Sequence, residues 1–121
     1  MKIATITLFV LAAVALIFTP AIAGDATKGK TLFNDPKLGG GSAGKSCGTC
    51  HPNGKGLENI ADKKEFKFGG KTYKSIEEAI NVCIEKANKG KALDPQSDQM
   101  KDLVAYLKSL KAPSEEPKKK Y

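Results

Sequence analysis

Arginine and tryptophan are absent from the 121 residues, histidine occurs once, methionine twice and cysteine three times. Every one of the 20 basic residues is therefore a lysine, set against 13 acidic residues for a formal charge of +7. A nucleic-acid module wants arginine and interleaved aromatics; a chain with no arginine and only five Phe and three Tyr argues against that class. The length allows one domain and excludes a large two-domain enzyme. With 40% hydrophobic residues the chain is not compositionally disordered. Its scarce reactive groups, three thiols and one imidazole, must carry most of its chemistry.

Only one long apolar run exists, Ile3 to Phe18. Lys2 precedes it, Pro20 breaks it, and Ala21-Ile22-Ala23 is a small-x-small cleavage signal. The run falls short of the ~20 residues a spanning helix wants, so residues 1–23 read as a signal peptide and not as a membrane anchor. No Cys follows it to carry a lipid. The mature chain is expected to begin at Gly24 in an oxidising, exported compartment, with a charge of +6. A domain of that size hides only roughly 64% of its unfolded surface, so its core needs a disulfide, metal or cofactor to support it.

Asp25 is a plausible N-cap for a helix from Ala26 to about Asn34, which Pro36 stops. Gly39 to Gly44 is glycine-rich loop. Irregular chain is expected from Pro52 to Gly70, with Phe66 and Phe68 alternating with Lys as one short strand before a Gly69-Gly70 turn. Ser75 and Glu78 form a capping box for a helix whose Ile76, Ile80, Cys83 and Ala87 share one face, ended by Gly90. The last helix runs from Ser97 to about Lys111, with a stripe of Met100, Leu103, Val104, Leu107 and Leu110. Residues 24–111 thus form one all-α domain, and 112–121, with two Pro and three consecutive Lys, a disordered tail.

Cys47-Gly48-Thr49-Cys50-His51 is a C-x-x-C-H pentapeptide, which reads as covalent attachment of a c-type haem. Two thiols three residues apart each add to one vinyl group of the same porphyrin, and the adjacent imidazole reaches the iron from the proximal side. A thioredoxin-like reading needs a βαβ unit, which is missing here. A zinc site needs four ligands, and adjacent Cys50 and His51 are an awkward pair even with Cys83 added. A Cys47–Cys50 disulfide would close an unusually tight loop.

The chain resembles a small class I cytochrome c. Gly24 to Phe33 resembles that family's first helix, Cys47 to His51 matches its haem motif, and Leu103 to Leu110 resembles its last helix. The resemblance implies a cytochrome c-like fold of three to four helices and long loops around one covalent haem c and its iron. It also implies that the first and last helices cross, bringing Gly29, Phe33 and Tyr106 together.

The distal iron ligand departs from that pattern. The family supplies a Met from the loop before the last helix, but Gly90 to Gln96 has none. His51 is the only histidine, so a second imidazole from the same chain is excluded. Two sulfur atoms remain. Met100 is the family's usual ligand type but sits on an apolar helical stripe, where Met is ordinarily a filler. Cys83 is the odd thiol in an exported chain and needs explaining. The segment Ile80 to Cys83, with Asn88 to Leu93 and Gln99-Met100 behind it, also resembles a domain of cytochrome-type thiosulfate dehydrogenases. Related sulfur-oxidising cytochromes use His/Cys ligation. Both ligands stay open at this point, as does an open or Lys-ligated iron.

On the proximal side, His51 Nδ1–H is expected to donate to a backbone carbonyl near Leu57, since the loop lacks the proline whose carbonyl the family often uses. The functions expected are a periplasmic, monomeric one-electron carrier, the haem subunit of a sulfur-compound-oxidising enzyme, or a carrier or sensor of a small gas ligand. The lysine surface suits acidic redox partners, with Lys45 and Lys55 flanking the haem motif. Neither nucleic acid nor, after signal cleavage, a membrane is expected as a partner.

Overall fold

The computed structural model describes residues 23–112. The expected leader and the lysine-rich tail lie outside them, apart from Ala23 and Ala112. Four α-helices are present: α1 (Ala26–Phe33), α2 (Cys47–Cys50), α3 (Ile76–Lys86) and α4 (Asp98–Ser109). Three short 3₁₀ turns, Leu38–Gly40, Pro52–Gly54 and Ile60–Asp62, punctuate the chain between α1 and a hairpin of β1 (Phe66–Phe68) and β2 (Lys71–Tyr73). Among the described residues no helix is long and apolar enough to cross a membrane.

The caps explain where the long helices start. Asp25 accepts from the Thr27 and Lys28 amides at the head of α1. Ser75 Oγ accepts from the Glu78 amide at α3, and Ser97 Oγ from the Met100 amide at α4. Asp25 satisfies two, and each serine one, of the backbone donors that a helix N-terminus leaves unpaired. The hairpin exceeds the expected single strand. Gly69 and Gly70 both have positive φ, 55° and 78°, and pair Phe68 with Lys71 across a two-residue loop. Two consecutive positive-φ residues give a turn whose twist matches that of the strands, so Lys71 to Tyr73 folds back onto Phe66 to Phe68.

The frame is the crossing of α1 and α4. A Cβ built on Gly29 would stand 1.9 Å from the Asp102 carbonyl oxygen and 2.8 Å from Tyr106 Cβ, so only a glycine lets these backbones meet. Four residues on, the Phe33 and Tyr106 rings meet edge to face at 5.1 Å, a favoured aromatic geometry. The amide of Asp25 also donates to Asp102 Oδ1 at 2.7 Å. The family-implied contact of Gly29, Phe33 and Tyr106 is therefore present. Leu38, Ile80, Ile84, Met100, Leu103 and Leu107 complete the buried core.

Candidate haem site

α2 is built from the motif itself. The Ser46 amide donates to Thr49 Oγ1 at 2.9 Å, closing the first turn over Cys47. Gly48 lies hard against the C-terminus of α1: a Cβ there would stand 2.0 Å from Asn34 Oδ1. Asn34 is held in turn by its Nδ2, which donates to the Lys30 carbonyl at 2.9 Å. The thiols are thus docked on the frame through a glycine inside the motif and an asparagine at the helix end. Sequence reasoning passed over Asn34, although its place one residue past α1 is a usual capping position.

After His51 the chain reverses at once. Asn53 (φ 52°) and Gly54 (φ 77°) are both left-handed, and the space beside Gly54 Cα is filled by the Leu110 side chain, 2.5 Å from where a Cβ would be. The reversal carries the Lys55 carbonyl to His51 Nδ1, 3.0 Å away. A carbonyl only accepts, so Nδ1 carries the proton and Nε2 keeps its lone pair, the tautomer a metal-binding imidazole needs. The expected partner near Leu57 is corrected to Lys55. The left-handed pair Asn53 and Gly54 returns the chain to the imidazole at Lys55.

Cys47, Cys50 and His51 line a cavity of about 430 Å³, within the roughly 300–1,000 Å³ typical of ligand sites. α2 and the following loop contribute Cys47, Cys50 and His51; α3 contributes Ile80, Cys83 and Ile84; α4 contributes Leu103 and Leu107; β1 contributes Phe66 and Phe68. Its cations are Lys63 and Lys67, its carboxylates Asp35 and Glu65.

Cys83 lines this cavity, and Met100 does not. Met100 is completely inaccessible, packed in the core of which Leu103 and Leu107 form the cavity side. The three cysteines are unpaired by disulfide. Burial, and then the neighbouring Cys83, push the Cys47 thiol up to about 11. Burial, and then Cys50, raise Cys83. The two shifts record that thiols far apart in sequence share one low-polarity space. Among the described residues no group of three or more His, Cys, Asp and Glu stands together as a metal cage, so the zinc arrangement weighed on the sequence is not assembled.

Two asparagines secure the far wall. Asn81, on α3, is clamped to the backbone of Leu93. Asn88 is buried: its Nδ2 donates to the Leu38 carbonyl at 3.3 Å, and its own carbonyl accepts from the Ser42 and Ala43 amides at 3.0 and 3.1 Å. Gly41 leaves the room for its carboxamide. The Asn88 Oδ1 has no donor among the described residues and belongs to a residue of the cavity wall, a buried polar point in a mostly apolar lining. Both asparagines were missed as site residues; no periodicity marks them.

An apolar cavity with two thiols and a correctly protonated imidazole from one short segment, beneath two crossed helices, defines a c-type cytochrome domain. The chain belongs to the family of SoxA/TsdA cytochrome c domains, whose model matches residues 28–112, from the first turns of α1 to just beyond α4. Membership makes covalently bound haem c, with its iron, the cofactor. The cavity's size, apolar lining and donor set fit that group. No curated protein and no solved structure matches the chain.

Proposed function

We propose that this protein is an exported, periplasmic monohaem cytochrome that passes single electrons between redox partners, with His51 and Cys83 as its iron ligands. Cys47 and Cys50 would hold the haem through thioethers, with His51 Nε2 as a donor to its iron. The observation that carries the reading is the membership of Cys83 in the wall of the cavity, with Met100 outside it. When bound, haem supplies a one-electron ferric–ferrous couple. The chain's own part is to hold the imidazole by the Lys55 carbonyl, hold the thiol on a helix, and exclude water with aliphatic and aromatic walls. The hold of the Lys55 carbonyl on His51 and the seat of Cys83 on α3 would keep rearrangement small when the charge changes. A thiolate ligand donates strongly and lowers the potential. The leader-like residues 1–23 support export, and the lysine surface supports acidic protein partners and a monomer.

A second reading follows from the same thiol. The family contains domains named for SoxA and TsdA, and the thiosulfate dehydrogenase resemblance runs through Cys83. The chain would then be the haem subunit of an enzyme that oxidises reduced sulfur compounds.

The test is electron-paramagnetic and optical spectroscopy of the ferric holoprotein, wild type against Cys83→Ala and Met100→Leu. Low-spin thiolate signals in wild type and Met100→Leu, lost in Cys83→Ala, are the expected result. A methionine-type signal lost in Met100→Leu would overturn the ligand assignment. Haem reduction by added thiosulfate alone would favour the enzyme reading; reduction only by a redox protein favours the carrier.

A further inference from the structure

Resting on the electron-carrier reading, we propose that the β1–β2 hairpin, and not the chain flanking the haem motif, is the face on which an acidic redox protein docks. Residues 63–74 hold five Lys and one Glu, a net +4 within twelve residues of a chain whose whole charge is +7. All five lysines are exposed. Lys74 is paired with Glu65, while Lys63, Lys64, Lys67 and Lys71 have no acidic partner among the described residues. Asp62, which would offset them, is taken up by Lys111 at 3.0 Å. Lys45 and Lys55, by contrast, each stand alone between uncharged neighbours.

The same element carries the apolar contact that a docked complex needs at its centre. Phe68 is 40% exposed and is the only large hydrophobic side chain classed as exposed among the described residues. It is steadied by Tyr73, its ring 6.0 Å away across the strands. Phe68 also lines the haem cavity. One side chain therefore belongs both to the wall of the cofactor site and to the solvent face, so a partner covering it stands against the haem wall. Around it the lysines give a positive rim. A positive field steers a negatively charged partner, and a small apolar centre lets it leave again. The area of one short hairpin suits the weak redox encounters that bury less than about 1,200 Å².

The experiment uses full-length holoprotein and an acidic [2Fe–2S] ferredoxin as the probe. Reduced ferredoxin gives up one electron as the haem iron passes from ferric to ferrous. The variant Lys64→Glu/Lys71→Glu changes two hairpin lysines that are not on the cavity wall. Lys28→Glu/Lys101→Glu makes the same change of net charge on α1 and α4. Stopped-flow reduction at low ionic strength is expected to slow about tenfold or more in the hairpin variant and less than threefold in the helix variant. The difference should collapse near 0.3 M salt, where screening is strong. Equal slowing in the two variants, or none in the hairpin variant, overturns the proposal. An unchanged haem absorption spectrum shows that each variant is folded. Nuclear magnetic resonance shifts of the ferrous wild type on titration with redox-inactive, gallium-substituted ferredoxin give a readout that needs no variant: they should cluster at residues 63–74, and clustering at Lys45 and Lys55 overturns the assignment. If ferredoxin produces neither reduction nor resonance shifts in the wild type, this surface is overturned, while the carrier reading stands or falls separately on whether any redox protein reduces the haem.

Discussion

The side-chain amide of Asn81 grips the backbone of Leu93 at both of its polar groups. The Leu93 amide donates to Asn81 Oδ1 at 2.8 Å, and Asn81 Nδ2 donates to the Leu93 carbonyl at 2.9 Å. The pair imitates one rung of a β-ladder between a helix and a loop. It ties the chain leading into α4 to the helix that carries Cys83, two residues further on.

Asn81→Ala should therefore lower stability by about 1–3 kcal/mol, from two part-buried hydrogen bonds at about 1 kcal/mol each. Denaturant unfolding measures this. Asn81→Asp keeps the acceptor and loses the donor, so it should fall between the two. Hydrogen exchange at the Leu93 amide should quicken in Asn81→Ala. An unchanged exchange rate would show that the loop is held by something else.

Gly29→Ala should be among the most harmful small changes in the chain. The new methyl would meet the backbone of Asp102, which cannot swing aside as a side-chain tip does. Forcing the helices apart costs about 1–3 kcal/mol by the measure of overpacked cores and strains the Phe33–Tyr106 contact. Lys28→Ala, one residue away and exposed, should stay within about 0.5 kcal/mol. Comparable midpoints for the two variants would contradict the crossing described.

Gly54→Ala tests the proximal turn. Its φ of 77° and the Leu110 side chain both oppose a Cβ, so the turn must open and the Lys55 carbonyl must leave His51 Nδ1. Freeing the imidazole should broaden or shift the ferric electron-paramagnetic signal and cost about 1–3 kcal/mol. Gly44→Ala is also at positive φ, 68°, but has nothing within 4 Å of its Cβ site. It should cost stability and leave the signal as in wild type.

Before haem attachment the thiols predict a pH dependence. Cys47 is pushed up to about 11 from an ordinary value of 9.0, by burial first and Cys83 second. A raised acid favours the protonated form in the folded state. Its contribution to stability is full below about 9 and is lost as pH rises toward 11. The unfolding midpoint of the apoprotein should fall across that window, and the fall should shrink in Cys47→Ser. At pH 8, alkylation should reach exposed Cys50 before Cys47 and Cys83, whose thiolates are disfavoured. Mass spectrometry of partly alkylated peptides gives the order, and Cys47 reacting first would sink the argument.

The three long helices were legible because each announces itself locally. Asp25, Ser75 and Ser97 cap them, and apolar residues recur at helical spacing. Pro36 lies just beyond α1, and Gly90 beyond α3. The hairpin was half legible: Phe66 and Phe68 alternate, and Gly69-Gly70 marks the turn, but Lys71-Thr72-Tyr73 is polar enough to pass for loop. Its strand character comes from pairing with β1, which no window of sequence contains.

The sequence by itself determined the chemistry of attachment. A C-x-x-C-H spacing is local covalent geometry, and nothing outside five residues is needed to read it. The helix crossing was implied by the resemblance to class I cytochromes c, and the contact of Gly29, Phe33 and Tyr106 in the structure bears it out. Which of the two sulfur atoms faces the cavity was decided only by the tertiary structure. Met100 and Cys83 both sit on apolar helical faces, and periodicity says that a face is buried without saying against what. Packing α4 on α1 encloses Met100 in the core, while α3 turns Cys83 toward the cavity that α2, α4 and the hairpin wall in. The Lys55 carbonyl, the Asn81 clamp and the seat of Asn88 likewise depend on where the backbone returns after each turn. That path is set by left-handed residues and contacts far apart along the chain.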